Sequence, residues 1–149
     1  MIKIDKGKLC MGSVTFALPD GLYLTPHIDY VCEVGITFLL PSAQTQIFLG
    51  IEQTDASPKE ELLSIADGEL CFAQSEVFET LRAGKTGSAM YYQAEDGDCF
   101  YEERFILEEP QKHFVLRIQT VPAAQNAVAR LQSVLHQKQV DGFLRTITL

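Results

Sequence analysis

The spacing of apolar residues changes period twice along this chain, and that change constrains the fold more than any other feature. Apolar and polar residues alternate through much of the first fifty residues and again between residues 78 and 118, as is typical of half-buried strands. Two intervening stretches have helical spacing instead. The order strands, helix, strands, helix favours an α+β fold, with a central, predominantly antiparallel sheet flanked by two main α-helices.

Local signals predict where the two helices begin and end. Ser57-Pro58-Lys59-Glu60 has the capping-box pattern, with proline at the first helical position, so the first helix begins there and ends between residues 67 and 75. The second helix follows Pro122. Its apolar stripe runs from Ala124 to Leu135, and Asp141-Gly142 is expected to end it. The last seven residues, 143–149, are predicted to form an edge strand or a packed tail.

Turn residues predict the strand limits. In the first half, strands are expected around Val14–Leu18, before Pro19-Asp20-Gly21, and around residues 22–24, 34–40 and 47–51. In the second half, Gly84–Gly87 is expected to form a turn after a strand at 78–83. Asp96-Gly97 predicts a type I′ hairpin between strands 88–94 and 98–107, and a further strand is expected at 114–118.

The 149 residues suit one compact domain, 1–149, because they contain no internal repeat or linker. The charged N-terminus lacks the apolar core of a signal peptide, and no run of 18 apolar residues occurs. These features predict a cytoplasmic protein with no membrane partner. The scattered cysteines Cys10, Cys32, Cys71 and Cys99 are expected to be free thiols, although two disulfides are arithmetically possible in an exported precursor.

The charge is acidic and unevenly distributed. The formal net charge is −8, with 20 acidic against 12 basic side chains, which argues against nucleic acid and anionic membranes as partners. Residues 52–79 carry eight acidic groups and one basic, residues 95–109 seven and one, whereas residues 110–149 carry five basic groups and one acidic. Solubility alone explains such an exterior. The alternative is an acidic face that binds a basic protein partner, and its predicted residues are Glu60, Glu61, Glu69, Glu95, Asp96 and Asp98.

No motif for catalysis or metal binding is complete. Gly84-Lys85-Thr86 resembles the end of a phosphate-binding loop, but Glu79 occupies the position of the required first glycine. A calcium loop of the EF-hand type alternates its oxygen ligands over about twelve residues, whereas the acidic run 95–98 is followed at once by Cys99-Phe100-Tyr101, and Gly-x-Ser-x-Gly is absent. The histidines His27, His113 and His136 have no helical i, i+4 partner. The sequence therefore predicts no metal, no cofactor and no enzymatic activity.

Tyr101-Glu102-Glu103-Arg104 is the most charged segment within a predicted strand. Alternation places Glu102 and Arg104 on one face, and Tyr101 and Glu103 on the other. If the turn around Pro110 sets residues 108 and 112 opposite each other, Glu103 faces Arg117 in a cross-strand ion pair. The alternative is a polar groove lined by Tyr101, Glu103, Arg117 and His113, which would make the protein a small-molecule-binding domain or an enzyme.

The run Phe16-Ala17-Leu18-Pro19-Asp20-Gly21, followed by this order of elements and a C-terminal amphipathic helix, resembles the Mog1/PsbP-like superfamily. That grouping includes DcrB-like bacterial proteins, among them chaperones of type VI secretion effectors. The resemblance implies a central antiparallel sheet with helices on its faces, and a binding or scaffolding role without chemistry. The leading hypothesis is a non-enzymatic adaptor or chaperone for another polypeptide, which it binds through an acidic face or a sheet edge. A homodimer paired through the C-terminal strand is a further possibility.

Overall fold

Two antiparallel sheets and three helices make up the described part of the chain. The structure, a computed structural model, describes residues 2–19, 21–25, 34–67, 71–108, 111–121 and 127–149. The strands are β1 (Ile2–Asp5), β2 (Lys8–Met11), β3 (Val14–Ala17), β4 (Tyr23–Thr25), β5 (Val34–Leu40), β6 (Thr45–Gln53), β7 (Cys71–Gln74), β8 (Phe78–Arg82), β9 (Lys85–Ala94), β10 (Cys99–Ile106) and β11 (Lys112–Thr120). The helices are α1 (Pro58–Ala66), α2 (Ala127–Leu135) and α3 (Lys138–Leu144).

The larger sheet has the order β4-β5-β6-β11-β10-β9-β7, and β8 pairs with the first half of β9. Every described pairing in it is antiparallel, which confirms the predicted α+β class with an antiparallel central sheet. Strands β1 to β3 form a separate three-stranded sheet. The sequence analysis missed β1, β2 and β7. β1 buries little and its residues are mostly charged or exposed, and the range given for the end of the first helix reached residue 75, across β7.

The two faces of the larger sheet are covered differently. One face, here the core face, packs against the small sheet, α2 and α3. Phe16, Phe38 and Phe143 meet there edge to face, with ring centroids 5.4 to 6.2 Å apart. The opposite face, here the α1 face, packs against α1, which buries Leu62 completely. The sheet is therefore the middle layer, and side chains alternate between two different environments.

The first helix forms as its capping box predicts. The Ser57 side chain accepts a hydrogen bond from the Glu60 backbone N–H at 3.1 Å, and Pro58 occupies the first helical position. The helix ends at Ala66, one residue before the range of 67 to 75 that was predicted for its end. Residues 68–70, including the predicted site residue Glu69, lie outside the described residues.

The C-terminal region contains two helices where one was predicted. Gln137 is extended between α2 and α3, and α3 continues through Gly142, which was expected to stop the helix. Burial of Val140, Phe143 and Leu144 outweighs the cost of a helical glycine, about 1 kcal/mol. The one helix predicted in the C-terminal region is therefore divided into α2 and α3, and the described residues form three helices. Ala124 lies outside them.

The C-terminal tail packs against the small sheet, as one predicted alternative proposed. Thr148 and Thr15 form an isolated antiparallel bridge with backbone N···O distances of 3.1 and 2.8 Å. The Ala17 N–H also donates to the Thr146 hydroxyl at 3.1 Å. The tail thus hydrogen-bonds to β3 of its own chain, so the segment predicted to pair two copies is already engaged.

Both late hairpins form, with turns that differ from those predicted. Ala83 and Gly84 have positive φ and make a two-residue turn, so residues 85–87 belong to β9 rather than to the turn. The β9–β10 hairpin is confirmed, but only Gly97 in its loop has positive φ. The Gly97 N–H donates to the Ala94 carbonyl at 2.9 Å. This is a three-residue loop with a glycine bulge, not a type I′ turn.

Candidate functional site

Strand β10 carries charged side chains on both faces of the larger sheet. Alternation is as predicted, but the register against β11 pairs Glu102 with Arg117 and Glu103 with Leu116. The predicted pairing of Glu103 with Arg117 is wrong by one residue. The Leu107 N–H donates to the Lys112 carbonyl at 3.0 Å, so residues 107 and 112 are opposite each other and four residues connect them. The prediction set residues 108 and 112 opposite each other, with three residues between them.

On the α1 face, Glu102 accepts hydrogen bonds from three side chains. Arg104 Nε lies 2.8 Å from Glu102 Oε2, Arg117 Nε 2.7 Å from Oε1, and the Tyr92 hydroxyl 3.3 Å from Oε1. Arg104 Nη2 reaches Glu52 Oε2 at 3.1 Å. Glu102 is fully buried and Arg104 is 3 % exposed, whereas the Arg117 side chain is 25 % exposed. The result is a buried charge cluster in which carboxylates and guanidiniums balance.

Burial and charge act in opposite directions on this cluster. Burial alone raises the pKa of Glu102, but Arg117 and Arg104 hold that pKa below its ordinary value, so the carboxylate is ionised. His113 lies on the same face, and burial, with Arg104 nearby, lowers its pKa. Arg104 Nη1 and His113 Nδ1 are buried and have no hydrogen-bond partner in the described part of the chain. This histidine is therefore held neutral.

On the core face, Glu103 forms a second buried cluster. Arg82 donates to both of its oxygens, with Nε–Oε1 2.6 Å and Nη2–Oε2 2.9 Å, and the Tyr101 hydroxyl donates to Oε2. Arg82 Nη1 also donates to the Leu144 carbonyl at 3.3 Å, in the last turn of α3. Burial and the Glu103 carboxylate raise the pKa of Tyr101, so its hydroxyl stays protonated. This cluster joins β8, β10 and α3.

The structure does not bring the four predicted groove residues together. Tyr101 and Glu103 lie on the core face, whereas Arg117 and His113 lie on the α1 face. Two described cavities, of about 390 and 120 Å³, are lined by other residues. The larger lies between residues 17–19 and α3. The hypothesis of one polar groove is therefore wrong in its geometry.

Sequence reasoning missed the residues that complete the two clusters. Glu52 and Arg82 lie in strands at positions that alternation alone assigns to solvent, and Glu102 was not among the predicted groove residues. One pattern in the sequence could have predicted the register of β10 against β11. Matching the apolar residues Phe114 and Ile118 to Phe105 and Tyr101 gives the observed register.

The predicted acidic face is divided between two ends of the sheet. Glu60, Glu95 and Asp96 are exposed, whereas Glu61 and Asp98 are half-buried. Glu61 accepts a hydrogen bond from the Thr54 hydroxyl and lies near His113; Asp98 accepts one from Gln119 Nε2 at 2.8 Å. His113 and Gln119 are six residues apart on one face of β11, which at ~3.3 Å per residue is about 20 Å. The acidic groups therefore flank the buried Glu102 cluster.

Within the described residues, no three His, Cys, Asp or Glu side chains come together as a metal ion would need. None of the helices in the described ranges is long and apolar enough to cross a membrane.

Comparisons with known proteins identify the fold. No protein-family model and no curated protein sequence matches the chain. Among solved structures, the Saccharomyces cerevisiae Ran-binding protein Mog1p matches with a TM-score of 0.57 and 12% identity, covering 91% of this chain and 89% of that one. A mutant of protein Mog1 matches with a TM-score of 0.57 and 11% identity, covering 91% and 90%. The chain has the Mog1/PsbP-like fold that its sequence resembles.

Proposed function

We propose that this protein is a non-enzymatic binding protein, an adaptor or chaperone that binds a basic segment of another polypeptide through acidic groups at the ends of the α1 face. The observation that carries the proposal is the pairing of interior charge. Arg82, Arg104 and Arg117 each form a salt bridge with a buried glutamate. These three cations neutralise interior carboxylates, so they do not offset the exposed acids of α1 and the β9–β10 loop.

The exposed acids are placed to attract a cationic partner. Glu60 in the first turn of α1 and Glu95 and Asp96 in the β9–β10 loop are exposed, and no basic residue lies between residues 95 and 103. Lys59 is also exposed in α1, but the net charge at both ends is negative, and such charge speeds association with a cationic partner and favours one orientation of binding. The stretch of β11 between the two ends, from His113 to Gln119, is about 20 Å long and matches roughly six extended residues of a partner.

The solved structures of similar fold are consistent with this class of function. The Saccharomyces cerevisiae protein is described as a Ran-binding protein, so a chain of this fold binds another protein. Cys10 and Cys99 are free thiols, which suits the reducing cytoplasm proposed as its location. The homodimer is not part of this proposal. The tail that was predicted to pair two copies already bonds to β3 of its own chain.

The test compares salt dependence with matched charge reversals. The immobilised full chain is exposed to native lysate at 50 and 500 mM NaCl, and retained polypeptides are identified and then titrated in purified form. Glu60→Lys and Glu95→Lys each change the charge by +2 at the proposed surface. Asp5→Lys makes the same change at an exposed position on β1 of the small sheet.

We expect the dissociation constant of the identified partner to rise at least tenfold at high salt. It should rise at least threefold in Glu60→Lys and Glu95→Lys, and change little in Asp5→Lys. A chain that retains no polypeptide at 50 mM NaCl, or equal binding by all three variants, would contradict the proposal.

A further inference from the structure

The outer edge of β8 presents backbone groups that β9 does not use. Arg82 and Lys85 flank the two-residue turn, so they form a hydrogen-bonded pair, and alternation makes Thr80 and Phe78 the next bonded positions. The N–H and C=O groups of Glu79 and Leu81 therefore point away from β9. Within the described residues, β8 pairs with β9 alone. A row of outward-facing donors and acceptors is a template for another strand.

The side chains on this edge are unusually apolar and exposed. Leu81 is 67% exposed and Phe78 38% exposed. Phe78 stacks on Tyr91 at a centroid distance of 5.7 Å, and Tyr91 contacts Tyr101 at 4.9 Å. Phe78 is thus the outermost ring of an aromatic row that continues inward to the buried Glu103 cluster. A side chain arriving beside β8 would extend that row.

The charge of the edge selects the kind of strand that fits. Glu76 and Glu79 are exposed, whereas the one cation of β8, Arg82, is bound to both oxygens of Glu103. Edge strands of monomeric proteins are commonly guarded by lysine, proline or a bulge. β8 has none of these, and its free charge is negative. It therefore disfavours acidic strands and favours basic ones.

Resting on the proposed function, we infer that a second basic segment of the same partner binds as an added β-strand along the outer edge of β8. Backbone hydrogen bonds form to Glu79 and Leu81. On one face of the added strand, a lysine or arginine lies opposite Glu79, and a second one, two residues away, lays its apolar stem along Leu81. On the other face, an apolar side chain packs on Phe78. The partner is thus an alternating basic and apolar segment in extended conformation.

The test uses amide hydrogen exchange in the isotopically labelled full chain. The probe is an acetylated and amidated hexapeptide of alternating lysine and valine; the controls are the same peptide with glutamate for lysine and a version N-methylated along one edge. We expect the Glu79 and Leu81 amides to exchange at least tenfold more slowly with the lysine peptide. The already bonded amides of Phe78 and Thr80 should change less. The two control peptides should bind at least tenfold more weakly.

Two variants at one position separate backbone pairing from side-chain contact. Leu81→Pro removes an N–H that β9 does not use, so β8–β9 pairing is retained while binding falls at least tenfold. Leu81→Ala keeps the N–H and should lose only a fewfold in affinity. If Leu81→Pro fails to fold, the N-methylated peptide tests the same hydrogen bonds from the other side.

Several results would overturn the inference. They are no binding of the lysine peptide at 1 mM, equal binding of the N-methylated peptide, or unchanged exchange at Glu79 and Leu81. Protection of these amides in the chain alone, rising with its concentration, would assign the edge to a second copy instead. If a natural partner is lost with Glu60→Lys but leaves the β8 amides unprotected, the edge inference fails and the proposed function stands.

Discussion

Replacing Glu102 by glutamine tests whether the buried cluster stabilises the fold. Glu102→Gln keeps the shape of the side chain and removes the charge that Arg104 and Arg117 share. Breaking a buried pair by removing one partner costs about 3–5 kcal/mol, since the remaining charge is left uncompensated. Arg104 keeps Glu52 and Arg117 is 25 % exposed, so we expect the lower end, about 3 kcal/mol. That is a large part of the ~5–15 kcal/mol that stabilises a typical domain.

The measurement is urea unfolding followed by far-ultraviolet circular dichroism, because the chain has no tryptophan. The midpoint should fall while the slope stays constant. Asp141→Asn is the control. Its carboxylate lies 2.8 Å from Arg145, but the two side chains are 46 % and 78 % exposed, so removing this pair should cost less than about 0.5 kcal/mol.

A double-mutant cycle assigns the loss to charge. Arg117→Met in the Glu102→Gln background removes one uncompensated cation, so the double variant should lose less free energy of unfolding than the sum of the single variants. If Glu102→Gln unfolds within about 1 kcal/mol of the parent, or if the two losses add, the buried-cluster reasoning is refuted.

Three further predictions test packing and pH. A Cβ on Gly142 meets nothing within 4 Å inside α3, so Gly142→Ala should raise the free energy of unfolding by about 0.5–1 kcal/mol; an unchanged melting temperature contradicts this. A Cβ on Gly87 would lie 2.5 Å from a Phe105 ring carbon, so Gly87→Ala should lower the free energy of unfolding, measured in urea, by about 1–3 kcal/mol. The lowered pKa of His113 means that the unfolded chain binds its proton more tightly, so stability should fall as pH drops through ~6.5 toward the lower pKa of the folded state. His113→Gln should flatten that slope, and an unaltered slope would show that another group is responsible.

Elements defined by local chemistry were the ones that the sequence predicted well. The Ser57 cap and the β9–β10 hairpin depend on neighbouring residues, so their signals are complete within a few positions. The extension of α3 through Gly142 was missed because burial of Phe143 and Leu144 against distant strands decides it. Local propensity argued for a stop, and tertiary packing overrode it.

The candidate site was predicted less well because its geometry depends on strand register. Residue types and their alternation on β10 were correct, but the partners of Glu102 and Glu103 come from β6, β8 and β11. Arg82 is 21 positions from Glu103 and Glu52 is 52 positions from Arg104 along the chain. No short motif carries such pairings.

Electrostatics alone does not select the observed register. A slip of one residue between β10 and β11 would place Glu103 opposite Arg117, which is also a favourable pair. The same slip would turn every side chain of β10 to the other face, exposing the fully buried Phe105 to the α1 face and carrying Arg104 into the apolar core. The slip has a second cost. Glu102 and Glu103 lie on opposite faces and each binds its own arginine, so a slip of one residue would separate both glutamates from these partners. Apolar burial therefore chooses the register, and the two clusters make that choice harder to reverse.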